Sequence, residues 1–208
     1  MKYTDITFLV DRSGSMTSMK DSMEQAFDAF LEKHKQVPST RITLVQFDGE
    51  NDQEVIYTAL PVRSAERLVI RPRGWTPLVD AFVKLIDNTG KRLNEMPERE
   101  RPDQVLFVVI TDGQENASIK YNRHDVHQRV AHQKSFYNWQ FVYLGANQDA
   151  IREAHSYGIR AENAITYKDI IPMFVGENAS LVNATLAYVN RTTSDVAGFT
   201  DEDRTRVK

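Results

Sequence analysis

Short apolar runs and longer amphipathic stretches alternate along this chain. ITFLV (6–10) is almost continuously apolar, as a strand buried on both faces is. Residues 16–34 then carry Met16, Met19, Met23, Phe27, Phe30 and Leu31 at helical spacing. Pro38 closes that segment, because the residue before a proline is steered away from helical angles. RITLVQF (41–47) and EVIYTAL (54–60) read as a hairpin across the polar turn DGENDQ. The loop RPRGWTP (71–77) leads into an amphipathic helix marked by Leu78, Phe82, Leu85 and Ile86. VLFVVIT (105–111) is the most β-branched run and belongs at the sheet centre. A polar helix is predicted over 122–135, a strand over 139–145 and a helix over 147–157 ending at Gly158. A short strand, NAITY (163–167), and a closing helix over 169–190 follow, the helix with Ile170, Phe174, Leu181, Leu186 and Val189 on its apolar side. The polar tail after Thr192 is expected to fray.

Strands separated by helices of this length imply right-handed crossovers. The expected fold class is therefore α/β: a doubly wound, mainly parallel sheet with one antiparallel edge strand and helices on both faces. No linker, repeat or low-complexity segment divides the chain, so one domain is expected over 1–192 with a tail over 193–208. In such sheets ligands bind at the carboxyl ends of the strands.

Composition narrows the function classes. With 208 residues, 41% hydrophobic and 26% charged, the chain has globular composition. Its 26 Lys+Arg against 29 Asp+Glu give a net charge of -3, which does not advertise a nucleic-acid surface. Cysteine is absent, which excludes a disulfide framework, a thiolate zinc site and a cysteine nucleophile. No apolar stretch has the length of a signal peptide or a membrane span, so a cytoplasmic protein is expected. On that expectation the Asn-x-Ser/Thr triplets at Asn116, Asn178, Asn183 and Asn190 are chance matches.

The candidate chemistry lies at the predicted strand ends. Asp11 follows the first strand in DRSGS, Asp112 follows the 105–111 strand in ITDGQEN, and Thr76 immediately precedes a helix. Alternating Asp11, Ser13 and Ser15 can turn toward one point, with Gly14 allowing a tight bend. The unpaired N–H groups of the following helix start stabilise negative charge there. Two carboxylates and three hydroxyls make an all-oxygen set, which suits a hard divalent cation: Mg²⁺, Mn²⁺ or Ca²⁺.

Asp11-x-Ser13-x-Ser15, Thr76 and Asp112-Gly113, in that order, resemble the metal-ion-dependent adhesion site (MIDAS) of the von Willebrand factor A domain family. The order of strands and helices agrees with that family from residue 3 to about 190. The resemblance implies that Ser13 and Ser15 ligate the ion directly. Asp11 and Asp112 would act through its waters or directly, and Thr76 would be a switchable ligand. It further implies that one coordination position is left for an Asp or Glu carboxylate of a protein partner. Gly74, Trp75 and Gly113 are the rim positions expected to face that partner. Trp75 stands where the family commonly has a small residue; its indole is either an exposed anchor or packing under the loop.

Simpler readings exist for each feature. An Asp/Ser-rich turn can cap a helix, and Asp112-Gly113 can be a plain turn signal, but neither accounts for Thr76. His124, His127 and His132 on one predicted helix lack a third ligand at defined spacing and read as surface residues. Arg63, Arg67, Arg71 and Arg73 read as a solvated rim or as steering for an acidic partner. The sequence thus points to a metal-dependent protein-interaction module without catalytic residues, such as a recruiting subunit for an AAA+ ATPase, a stress-response or a phage-encoded system. The alternative is a Mg²⁺-dependent phosphohydrolase using Asp11. Against it, Ser13 stands where such enzymes carry a second acid, and no positioned lysine is evident. No Gly-x-Ser-x-Gly elbow or phosphate loop is present either.

Overall fold

Long buried apolar runs dictate the centre of the molecule. The structure, a computed structural model, describes residues 3–37, 39–50, 53–146, 149–196 and 198–208. Six strands form one sheet: β1 (Thr4–Asp11), β2 (Thr40–Phe47), β3 (Glu54–Pro61), β4 (Gln104–Thr111), β5 (Gln140–Ala146) and β6 (Ala164–Tyr167). Their order is β3-β2-β1-β4-β5-β6. Every neighbouring pair is parallel except β2 with β3. β1 is buried along its whole length, and β4, its neighbour, nearly so, which places both at the middle. The chain winds from β1 outward to β3 and then returns to the other side of β1 as β4. The carboxyl ends of β1 and β4 therefore meet at a topological switch point, where open α/β sheets place their ligand sites.

Helices cover both faces. On one face, α1 (Lys20–His34), α5 (Ile171–Phe174) and α6 (Ser180–Val189) pack over a core that includes Phe8, Phe27, Phe30 and Phe174. Phe8 meets Phe27 edge-on, with ring centroids 5.1 Å apart. On the other face, α2 (Leu78–Glu95), α3 (Arg123–Tyr137) and α4 (Ala150–Ser156) cover Phe82, Phe107, Phe141 and Tyr157. The polar α3 buries only Val126 and Val130. Its start is fixed by a capping box between Asn122 and Asp125, and its end by Asn138 in the left-handed conformation.

The fold class expected from the sequence is observed, with two local departures. The closing helix over 169–190 is two helices, α5 and α6. Between them Gly176 takes a φ of 98°, which ends helical geometry, and Pro172 belongs to the first turn of α5. The segment after Thr192, expected to fray, contains packed residues among those described. Val196, Phe199 and Val207 join the core, and α7 (Asp201–Arg206) is opened by a capping box between Thr200 and Asp203. The Lys168 N–H donates to the Val207 carbonyl at 2.8 Å, and Arg204 donates to the carbonyls of Ala161 and Ala164, so the tail covers the β6 edge. Pro38, two residues of the 48–53 turn and the start of the expected 147–157 helix lie outside the described residues.

Candidate metal centre

Asp11 ends β1 fully buried. Its Oδ1 accepts the Ser13 backbone N–H and its Oδ2 accepts the Thr111 hydroxyl, each at 2.7 Å. The first bond turns the chain sharply after the strand, and the second fastens β1 to the end of β4. Residues Gly14–Ser18 then form a 3₁₀ turn leading to α1. The turn brings the Ser13 and Ser15 hydroxyls within 3.0 Å, and Ser15 donates to Asp112 Oδ1 at 2.8 Å. Gly14 is not in the left-handed region, so the bend comes from the Asp11–Ser13 turn and not from glycine freedom. Its N–H instead donates to the Gly74 carbonyl at 3.2 Å, tying the two loops together.

Thr76 arrives from that second loop. Gly74 has a φ of 66°, and Gly49 lies so close that an added Cβ there would stand 2.6 Å from the Trp75 nitrogen. Thr76 N–H donates to Asn116 Oδ1 at 3.0 Å, and the Asn116 N–H returns a bond to the Thr76 carbonyl at 3.2 Å. A Cβ added to Gly113 would sit 3.4 Å from Thr76 Oγ1 and 3.5 Å from Ser15 Oγ. Hydroxyls from two separate loops therefore flank one point beside Gly113, with Asp112 bonded to Ser15 on the same rim. The five residues singled out in the sequence come together.

The electrostatics of the rim are those of acids without a counter-ion. Burial pushes the Asp11 carboxyl up to about 6; the Thr111 and Ser13 hydrogen bonds oppose the shift and the Asp112 charge adds to it. Burial also raises Asp112, against the Ser15 hydrogen bond. The nearest cation in sequence, Arg12, turns away: its buried guanidinium pairs with Asp48 and, at 2.6 Å, with Glu54. Arg73 joins the same Asp48 at 3.1 Å, which holds the 71–77 loop to the end of β2. Hard oxygen donors around one point, near two destabilised carboxylates, suit a hard divalent cation. Among the described residues no group of three or more His, Asp or Glu side chains could hold a metal; the rim itself offers two carboxylates and three hydroxyls.

Several supporting residues were not evident from the sequence. Glu115 accepts from the backbone N–H groups of Val79, Ala117 and Ser118 and from the Ser118 hydroxyl, at 2.7–2.8 Å. Asp80 accepts from the N–H groups of Ile119, Lys120 and Tyr121. These two carboxylates brace the loop after β4 against the first turn of α2, and so position Thr76 relative to Asp112. The only hint in the sequence was the run DGQEN, with no partner in view. Trp75 is 69% exposed, which settles its alternatives in favour of an outward indole. His124 engages Gln128, and His127 packs beside Gly158. Arg67 pairs with Asp28, and Arg63 donates to the Lys35 carbonyl. A cleft of about 260 Å³ at the opposite edge of the sheet, near Trp139 and His132, contains none of the rim residues.

A doubly wound sheet with an oxygen-lined rim at its switch point defines an α/β domain with a candidate cation site. The chain belongs to the von Willebrand factor type A domain family, whose pattern matches residues 5–169. It is 30% identical over 114 residues to the magnesium-chelatase 67 kDa subunits of Chlorobaculum parvum and Chlorobaculum tepidum. That match spans 54% of this chain and only 18% of those subunits. Among solved structures it is similar to proximal thread matrix protein 1 from the mussel byssus, with a TM-score of 0.62 and 16% identity over 88% of this chain and 46% of that one. A von Willebrand factor type A structure from Catenulispora acidiphila gives a TM-score of 0.57 at 12% identity, over 89% of this chain and 43% of that one. The mussel protein with a zinc-occupied MIDAS motif gives 0.50 at 16% identity, over 93% and 45%. Identities this low show the fold alone. No helix among the described residues is long and apolar enough to cross a membrane.

Proposed function

We propose that this chain is a metal-dependent protein-interaction module. Asp11, Ser13, Ser15, Thr76 and Asp112 hold a divalent cation, Mg²⁺ by preference or Mn²⁺ or Ca²⁺, and a partner's Asp or Glu completes its coordination. The observation that carries this reading is the point beside Gly113 where Ser15 and Thr76 hydroxyls converge next to Asp112. Neutral hydroxyl donors leave a bound cation short of negative charge, which attracts an acidic side chain. The zinc-occupied motif of the mussel protein supports the choice of a metal. The magnesium-chelatase relatives, named as subunits, support a role within a larger assembly, in keeping with a recruiting subunit.

Trp75 is the anchor on the partner side, since its exposed indole stands on a loop fixed by Gly49, Gly74 and Asn116. Gly74 and Gly113 let a partner approach the ion closely. The reading involves no covalent chemistry. Asp11 is a poor phosphoryl nucleophile, because it is fully buried and both its oxygens already accept hydrogen bonds.

The test is capture from the native host with immobilised wild type, Ser13→Ala and Trp75→Ala, in Mg²⁺ and in EDTA. Wild type should retain a partner only in Mg²⁺, Ser13→Ala in neither buffer, and Trp75→Ala should keep the ion but lose partner. Retention of the same partner by Ser13→Ala in EDTA overturns the assignment.

A further inference from the structure

A second group lies under the rim. Thr111, Gly145 and Thr166 form one transverse row across β4, β5 and β6, and Ala146 pairs with Tyr167 in the next. Continued past the end of β4, that row reaches Asp112. Two strand spacings, about 10 Å, separate the Tyr167 and Asp112 backbones. Ala146, the position between them, is small and buried, and the charges of both Asp112 and Asp11 act on the Tyr167 phenol. Tyr167 is fully buried, and its hydroxyl has no hydrogen-bond partner among the described residues. An unpaired buried hydroxyl costs stability, as those of Tyr3 and Tyr188 also do; what sets Tyr167 apart is its place beneath the rim. Burial first, then the charges of Asp112 and Asp11, hold its phenol well above the usual range, so it stays a proton donor.

We infer that Tyr167 is a positioning residue for the candidate metal centre: its hydroxyl donates from beneath to the Asp112 carboxylate when that carboxylate engages a cation. Ser15 grips Asp112 on the rim side, at 2.8 Å. A donor from below fixes the second direction of the carboxylate, as partners of metal-binding carboxylates commonly do. This inference rests on the metal reading above.

The test is Tyr167→Phe, which keeps the ring and deletes the hydroxyl. Without metal the variant should melt at or above the wild-type temperature, because an unpaired polar atom is gone. Its Mg²⁺ affinity by calorimetric titration should fall about tenfold. In wild type labelled with ¹³Cζ-tyrosine, the resonance missing from Tyr167→Phe should move on saturation with Mg²⁺, which a purely packing role does not produce. An affinity within twofold of wild type, or a Tyr167 resonance that ignores Mg²⁺, overturns the inference while leaving the metal site intact. Failure of wild type itself to bind Mg²⁺ or Mn²⁺ overturns the metal reading instead.

Discussion

Ser15 Oγ donates to Asp112 Oδ1 at 2.8 Å, joining the turn after β1 to the turn after β4. The bond spans the switch point of the sheet and ties the two loops to each other. Asp112 is buried, and burial holds its carboxyl above the usual range.

Replacing that carboxylate by an amide keeps the Ser15 bond and removes the charge. Asp112→Asn should therefore match or slightly exceed wild-type stability in EDTA. In Mg²⁺ at a hundred times the wild-type dissociation constant, the wild type should gain about 2.7 kcal/mol and the variant little. Thermal melts with and without Mg²⁺ measure both arms, and equal gains would count against Asp112 as part of the site.

Gly113 offers a steric test independent of charge. An alanine methyl there meets Thr76 Oγ1 at 3.4 Å and Ser15 Oγ at 3.5 Å, ordinary contacts that the fold tolerates. The methyl would nonetheless stand against both hydroxyls. Gly113→Ala should change stability by less than about 1 kcal/mol and weaken divalent binding at least tenfold in a titration. Undiminished binding would place the ion elsewhere.

The strands were legible because they are local patterns, and so was the placing of Asp11 and Asp112 at strand ends. A strand buried on both faces must be almost wholly apolar, as β1 and β4 are, and the ends of such runs locate Asp11 and Asp112. The packing of the tail was not legible, because its core contacts rest on Val196, Phe199 and Val207, which follow no helical or strand period. The break between α5 and α6 was signalled by Gly176, but the apolar periodicity continued across it. The roles of Arg12, Asp48, Asp80 and Glu115 depend on partners far away in sequence. Such pairings carry no spacing rule, so only the folded chain reveals them.

Glu115 illustrates the weight of one of these hidden pairings. Its carboxylate takes three backbone N–H groups, including that of Val79 at the start of α2. Glu115→Ala leaves those donors without their charged acceptor and should cost on the order of 2–3 kcal/mol. The released loop also loosens the Asn116–Thr76 exchange, so Mg²⁺ affinity should fall with stability. Chemical denaturation together with metal titration checks the pair. A stability loss without an affinity loss would show that Thr76 is held by other contacts.

His34 makes stability depend on pH far from the metal rim. It is fully buried in the last turn of α1, stacked on Phe30 with centroids 3.8 Å apart. Nδ1 faces the Phe30 carbonyl at 2.9 Å, an acceptor only, so that nitrogen carries the hydrogen. Nε2 lies 3.0 Å from the Thr185 hydroxyl, whose single hydrogen is shared with the Val182 carbonyl, also at 3.0 Å. Burial lowers the ring from 6.5 to about 4, opposed by the Phe30 bond. In the unfolded chain the ring protonates below about 6.5 while the folded one stays neutral. Its contribution is therefore complete above that pH and is lost progressively as pH falls toward 4, by an amount on the order of 3 kcal/mol. Urea midpoints between pH 7.5 and 4.5 should fall more steeply for wild type than for His34→Gln, which cannot titrate. Parallel slopes for the two proteins would mean that the ring is protonated inside the fold, sharing its second hydrogen with Thr185.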